Sequence, residues 1–203
     1  MFIDPQLSKI NTKIFTDNYN KIREDYIKLR DGNFFIDYSH EYDLTSANGE
    51  FPTGFSPTLT PEFHWKVCPL IFNRKIFKLS SKYCQECFTT ELLMNQPIKP
   101  VLAVFSILEP GAELEPHSDG DERIDPRYWR SSVIKFHFSL DIPLGGNCAL
   151  VVNNEHRILN NKDLNLFDEK LSLHYAYNHS ETRRGVLITS YIRDEVLMYG
   201  DNL

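Results

Sequence analysis

Ile134-Lys135-Phe136-His137-Phe138-Ser139-Leu140 is the stretch from which the fold is read. Apolar and polar side chains alternate along it, and a period of two belongs to a strand, whose successive side chains leave on opposite faces. One face would carry Ile134, Phe136, Phe138 and Leu140, and the other Lys135, His137 and Ser139. The pattern predicts a half-buried strand over residues 132–142.

Outward from it the chain repeats the theme. Runs at 101–108 and 113–117 precede it, and runs at 148–152, 155–159, 163–167, 173–177 and 185–193 follow, with turn signals between them. About eight short strands in roughly 95 residues suit a sandwich or a jelly roll of the cupin sort. The first half reads differently. Residues 16–30 predict a helix with Thr16 as N-cap, Gly32 closing its end, and Tyr19, Ile22, Tyr26 and Leu29 on one apolar stripe. Residues 31–61, rich in Gly, Pro, Ser and Asn, predict irregular chain over a core, and 63–77 an extended piece anchored by Trp65. A second helix is expected at 80–94, stopped by Pro97. The fold class is therefore mainly β with N-terminal helices (α+β), built as a double-stranded β-helix. Residues 1–100 would form a helical and irregular region packing on a core of residues 101–203, one structural domain overall.

With 203 residues, 41% of them hydrophobic and 13% aromatic, the chain can bury a core. A net charge of -6 argues against a phosphate backbone as partner, so no nucleic acid is expected. No apolar run is long enough to span a bilayer, and Met1-Phe2-Ile3-Asp4-Pro5 lacks the basic start and apolar core of a secretory signal. Four Cys without such a signal fit a reducing compartment, and a cytoplasmic location is expected. Cys84-x-x-Cys87 would need a thioredoxin-like setting as a redox motif, or a second pair as a zinc site; Cys68 and Cys148 stand alone. These are read as ordinary, part-buried thiols.

The chemistry concentrates in Leu114-Glu115-Pro116-His117-Ser118-Asp119-Gly120. His117 and Asp119, two apart on extended chain, project to the same side and can meet one metal ion. A second His would complete a triad of two His and one carboxylate, which leaves open positions and suits non-haem Fe(II). With seven His and 28 acidic residues, the His-x-Asp pair alone carries little weight. His137, His156 and His174 lie in the same β region, His174 being 57 residues on (174 − 117) and Arg184 ten further (184 − 174). His40 and His64 have no partners at ligand spacing. His156 sits at an expected hairpin tip after Asn153-Asn154, and His179 in the polar turn Asn178-His179-Ser180-Glu181; both are poor ligand candidates.

Phe105-Ser106-Ile107-Leu108-Glu109-Pro110-Gly111, Pro116-His117, Leu166-Phe167-Asp168-Glu169, His174 and Arg184-Gly185-Val186-Leu187-Ile188, in that order, resemble the aspartyl/asparaginyl β-hydroxylase-like group. These are Fe(II)- and 2-oxoglutarate-dependent oxygenases, and the resemblance reaches more faintly to 18–29 and 65–70. It implies that His117 and His174 bind the metal and that Arg184 pairs with the distal carboxylate of 2-oxoglutarate. It also places His137 on the co-substrate's side, and Lys135 where a basic residue is usual. Two departures matter. Asp119 stands where the peptide hydroxylases have Gly, so this chain could build the complete triad. An insertion over 121–130 separates His117 from His137. Within it, Trp129 and Arg130 could cap the site and Arg127 or Arg130 could grasp a substrate carboxylate, or the insertion could simply cover the barrel mouth.

A guanidinium suits the distal carboxylate because it stays charged and offers two parallel hydrogen bonds. The plain alternatives are a surface Arg184 paired with Glu181, and His137 as a satisfied core residue. Asp168 would orient His174 or close a turn. The sequence thus leads to an Fe(II)/2-oxoglutarate-dependent dioxygenase acting as a hydroxylase, with O2 as co-substrate and His117, Asp119 and His174 on iron. Its expected partner is a free amino acid or a small amino-acid-derived metabolite; a peptidyl aspartyl or asparaginyl residue is the second choice. Two other classes stay open, a cupin-like metal enzyme without 2-oxoglutarate and a non-catalytic binding jelly roll.

Overall fold

The computed structural model describes residues 1–37, 65–77, 82–119, 132–145 and 147–198. Ten strands are described: β1 (Ile36–Asp37), β2 (Trp65–Phe72), β3 (Lys75–Ile76), β4 (Leu102–Leu108), β5 (Val133–Asp141), β6 (Cys148–Val152), β7 (Glu155–Ile158), β8 (Leu164–Asp168), β9 (His174–Asn178) and β10 (Arg184–Ile192). They form two antiparallel sheets. The larger has the order β1-β2-β4-β10-β5-β8, with β3 on β2, and the smaller β7-β6-β9. Bridges Glu113↔Tyr177 and His117↔His174 lay segment 113–117 along the free side of β9.

The path of the chain gives the architecture. From β4 in the larger sheet it crosses to 113–117 in the smaller, returns to β5, crosses to β6 and β7, returns to β8, crosses to β9 and ends in β10. That repeated crossing between two facing sheets is a double-stranded β-helix, the cupin-like jelly roll. The segment expected as a strand at 113–117 makes bridges only at its ends, because Pro116 has no N–H to give to the ladder. Asn153 and Asn154 both adopt left-handed backbone (φ 47° and 65°) and form the tight turn between β6 and β7, a conformation Asn tolerates.

The N-terminal helices differ from the expected single run. Chain expected as one helix over 16–30 is α1 (Lys13–Asp17) and α2 (Tyr19–Asp31), separated at Asn18 (φ -104°, ψ 13°). Thr16 is therefore inside α1, its hydroxyl donating back to the Lys13 carbonyl, and it caps nothing. Asn18 sends its amide back to the Ile14 carbonyl at 2.8 Å, which draws the chain out of the helical path. Gly32 ends α2 as expected, its N–H reaching the Lys28 carbonyl at 2.9 Å. The second expected helix is likewise two, α3 (Lys82–Gln85) and α4 (Phe88–Met94), with Cys87 extended between them. Asp25 of α2 accepts from both the N–H and the hydroxyl of Thr89, each at 2.7 Å, so a buried carboxylate from another helix caps α4.

The strand read as half-buried is buried on both faces. Phe136 and Phe138 of β5 meet Phe15 of α1, and Phe138 also meets Tyr19 of α2, so the helices cover its apolar side. Lys135, His137 and Ser139 are also buried, and Lys135 and His137 line the cavity between the sheets. Alternation identified the strand, but its polar face looks into the barrel and not into water. No disulfide forms among the described residues; Cys68, Cys84 and Cys148 are buried and Cys87 partly so, and the Cys68 and Cys84 sulfurs lie 3.2 Å apart. No helix among the described residues is long and apolar enough to cross a membrane.

The contact between α2 and β10 depends on a missing side chain. A Cβ at Gly185 would lie 2.3 Å from the Tyr26 ring and hydroxyl. Glycine is what lets the ring lie on the strand directly beside Arg184. Gly185→Ala should lower the unfolding free energy by about 1–3 kcal/mol, the usual cost of overpacking, as measured by chemical denaturation. An unchanged midpoint would show that α2 can slide away.

Candidate active site

Two reciprocal main-chain hydrogen bonds place the imidazoles. His117 N–H reaches the His174 carbonyl at 3.0 Å, and His174 N–H reaches that of His117 at 2.7 Å. Residues opposed in this way carry their side chains to the same face. The two ring centroids are 4.5 Å apart. Each ring is then oriented by a carbonyl two residues back: His117 Nδ1 lies 2.6 Å from the Glu115 oxygen, and His174 Nδ1 3.0 Å from that of Ser172. A ring nitrogen beside a carbonyl must be the protonated one, so both Nε2 atoms carry free lone pairs.

Those two atoms face Asp119. His117 Nε2 is 3.8 Å from Oδ1 and His174 Nε2 is 3.4 Å from Oδ2. The ligand atoms of His117, Asp119 and His174 all lie within 4.8 Å of one another, close enough to share one ion. His174 Nε2 and Asp119 Oδ1 are buried with no hydrogen-bond partner among the described residues. Orphaned polar atoms are costly inside a protein unless something else satisfies them. Two neutral imidazoles and a carboxylate are the donor set of a divalent-metal site with open positions, so the residues present fit such an ion. Burial lowers the His117 pKa and keeps the ring neutral, although nearby Asp119 works the other way. For Asp119, burial opposes ionisation, but the adjacent Lys135 ammonium outweighs it and holds the carboxyl below the usual range.

Lys135, expected among the co-substrate groups, is engaged with this carboxylate. Its ammonium donates to Asp119 Oδ2 and lies 3.3 Å from Glu169 Oε2. Glu169 also accepts from the Ser190 hydroxyl at 2.9 Å, and its carbonyl receives the Asp119 N–H at 2.8 Å. Glu169 and Ser190 were not singled out from the sequence. The available signal was the position of Glu169 within the family-like run Leu166–Glu169, but nothing local pairs it with a lysine on a distant strand.

Arg184 opens β10 and is 3% exposed. Its Nη2 donates to His137 Nε2 at 2.7 Å. No carboxylate pairs with it among the described residues; Glu181 is exposed, and Glu109 takes the neighbouring Arg183 at 2.8 Å. Arg184 Nε and His137 Nδ1 are both buried without a partner among the described residues. Burial, and then the Arg184 charge, push the His137 pKa well down, so the ring is neutral and can accept from the guanidinium. Burial brings Arg184 down to about 10, which leaves it charged near neutral pH. An isolated charge in such a place is expensive unless an anion joins it. His117, His174, Lys135, His137 and Arg184 all line one cavity, whose remaining walls include Trp65, Val104, Leu108, Leu150 and Ile188. The Trp65 indole is held by the Ser106 hydroxyl at 2.8 Å.

The other candidates fall outside this cluster. Asp168 closes a turn, accepting from the N–H groups of Lys170 (3.1 Å) and Leu171 (3.0 Å) and from the Ser132 hydroxyl, while His174 is oriented by Ser172. His156 is exposed on β7, and His179 pairs with Glu113 at 3.1 Å and stacks on Tyr177. His40, His64, Arg127, Trp129 and Arg130 lie outside the described residues.

A sequence model of the family described as aspartyl/asparaginyl beta-hydroxylase matches residues 16–194. Comparison with curated proteins gives no match. Among solved structures, similarity is found to a predicted oxalate decarboxylase from Thermotoga maritima: 13% identity, 64% of this chain, 81% of that one, TM-score 0.38. KdgF from Halomonas sp. is similar at 13% identity, over 66% of this chain and 84% of that one, with TM-score 0.38. The cupin domain of Schizosaccharomyces pombe Cnp3 is similar at 11% identity, over 68% and 71%, with TM-score 0.38.

The geometry makes a direct prediction about metal. Titration of the protein with Co(II), followed by visible absorption, should show a single saturable equivalent. His117→Ala or His174→Ala should abolish it while circular dichroism still reports a folded β protein. Saturable uptake that survives both changes would move the metal elsewhere.

Proposed function

The chain belongs to the aspartyl/asparaginyl beta-hydroxylase family, and from that premise we propose that it is an Fe(II)- and 2-oxoglutarate-dependent oxygenase. The substrate is a free amino acid or a small amino-acid-derived metabolite, hydroxylated at an unactivated C–H bond. In balance, substrate, 2-oxoglutarate and O2 become hydroxylated substrate, succinate and carbon dioxide. The observation that carries the reading is the buried, carboxylate-free guanidinium of Arg184 in the same cavity as the His117, Asp119 and His174 cluster.

Each residue then has a task. His117, Asp119 and His174 would hold the iron, which when bound supplies the O2 chemistry that no protein side chain can perform. Arg184 binds the far carboxylate of the keto acid through paired N–H groups, and its buried setting strengthens that attachment. His137 accepts one guanidinium N–H through Nε2 and leaves Nδ1–H available to the same carboxylate. The apolar walls at Trp65, Val104, Leu108, Leu150 and Ile188 exclude water from the reacting groups. A cavity enclosed between two sheets and walled in this way favours a small substrate over a polypeptide.

Anaerobic addition of Fe(II) and 2-oxoglutarate should produce the weak visible charge-transfer band of the chelate. Arg184→Ala should remove that band and abolish succinate formation while leaving the Co(II) equivalent intact. Arg184→Lys should recover only part of the affinity, because an ammonium is a point charge without the paired fork. A folded wild-type protein that binds metal but shows no band would remove 2-oxoglutarate and favour a cupin-like metal enzyme of another kind. A screen of free amino acids and short peptides for a mass gain of one oxygen, coupled to succinate, tests the substrate class.

A further inference from the structure

We propose that Lys135, Glu169 and Ser190 form a clamp that presents Asp119 to the metal through one oxygen, so that Lys135 acts on the metal site and not on the co-substrate. This rests on the metal half of the reading above and is independent of the 2-oxoglutarate half. Lys135, Glu169 and Ser190 are positioning residues, since each acts through Asp119.

The placement comes from register. On β5, Lys135 stands opposite Ser190 of β10 on one side and Phe167 of β8 on the other, and Glu169 follows directly after β8. Glu169 therefore reaches Asp119 twice. Its carbonyl accepts the Asp119 N–H at 2.8 Å, and its carboxylate, anchored by the Ser190 hydroxyl at 2.9 Å, lies 3.3 Å from the ammonium that contacts Asp119 Oδ2. The side chains of Lys135, Asp119 and Glu169 are 6%, 9% and 11% exposed. In so dry a place two carboxylates repel strongly unless a cation stands between them, and Lys135 is that cation. With Oδ2 engaged, Asp119 Oδ1 is the oxygen without a hydrogen bond. Arg184, by contrast, starts β10 six residues before Ser190 (190 − 184), and its guanidinium donates to His137 rather than to Asp119 or Glu169. The two interior cations thus belong to different tasks.

The test separates two binding constants. Co(II) is titrated into metal-free protein without co-substrate, and 2-oxoglutarate is then titrated into the Co(II)-saturated protein by calorimetry. Lys135→Met should weaken Co(II) binding on the order of 10–100-fold, as loss of a ligand-orienting partner usually does, and should alter the shape of the Co(II) absorption. Its 2-oxoglutarate dissociation constant at saturating metal should equal that of the wild type. Glu169→Gln should move the metal constant in the same direction by less, and Ser190→Ala by least. Unchanged Co(II) affinity in Lys135→Met, with weakened 2-oxoglutarate, would overturn the clamp and return Lys135 to the co-substrate. If Lys135→Met does not fold, Glu169→Gln and Ser190→Ala decide, and unchanged metal affinity in both overturns the proposal. Loss of Co(II) affinity in a protein that never binds 2-oxoglutarate would keep the clamp and dismiss only the co-substrate.

Discussion

The pair of hydrogen bonds between His117 and His174 is the constraint on which the site depends. Two imidazoles that are distant in the chain become neighbours because one short extended segment joins the edge of the smaller sheet. Pro116 leaves that segment too poor in donors to form a continuous strand, and so the alignment rests on its two terminal bridges. The exchange also fixes chemistry. Backbone carbonyls at Glu115 and Ser172 take the Nδ1 protons, which turns both Nε2 lone pairs toward Asp119. Main-chain geometry thus decides tautomer, direction and spacing together.

Around this pair the interior is polar where a simple sandwich would be apolar. The inward face of β5 carries Lys135 and His137, and β10 contributes Arg184 and Ser190. Such groups weaken a core unless they satisfy one another, and most of them do. Lys135 is compensated by Asp119 and Glu169, and Glu169 by Ser190. Arg184 is the exception, with a neutral imidazole as its polar partner. That imbalance shares the interior with the orphaned Asp119 and His174 atoms, so the same region has an unmet need for an anion and for a cation. The cost is borne by the outer face of the larger sheet, where Phe15, Tyr19 and Tyr26 bury the aromatic side of the same strands.

How much of this could be read from the residues follows from what period two encodes. Alternation in Ile134–Leu140 marks a strand but is silent on what covers each face, so the period alone reads as half-buried a strand whose polar face lines the cavity. The helix boundaries failed for a similar reason. Helical spacing from Tyr19 to Leu29 identifies the stripe of α2, whereas the break at Asn18 comes from a side-chain hydrogen bond to Ile14 that no spacing shows. His117 and Asp119 stood out by their spacing, whereas His174 and Arg184 joined them through the resemblance to the hydroxylase family, carried by an ordered set of short motifs. The contacts of Lys135 with Asp119 and Glu169 were not legible, since they depend on the registers of β5, β8 and β10. Asp168 was left between two roles, and only the turn through Lys170 and Leu171 decides between them.

The ten-residue separation of His174 and Arg184 has a physical origin. β9 runs from His174 to Asn178 in the smaller sheet, the chain turns, and β10 begins at Arg184 in the larger one. Asn178 is fully buried and secures that turn. Its amide donates to the carbonyls of Leu108, Glu109 and Thr182, and its oxygen accepts from the Ser180 hydroxyl at 2.6 Å. The turn is thereby fastened to the end of β4, and Arg184 enters β10 directly opposite Leu108. One strand outward, one anchored turn and a change of sheet deliver a guanidinium to the cavity that the imidazole which began the excursion also lines. Because faces alternate along a strand, the pairing of β10 with β4 that this anchored turn accompanies is what keeps Arg184 on the barrel side. The spacing therefore carries more information than either residue alone, because it records one strand, one anchored turn and a change of sheet.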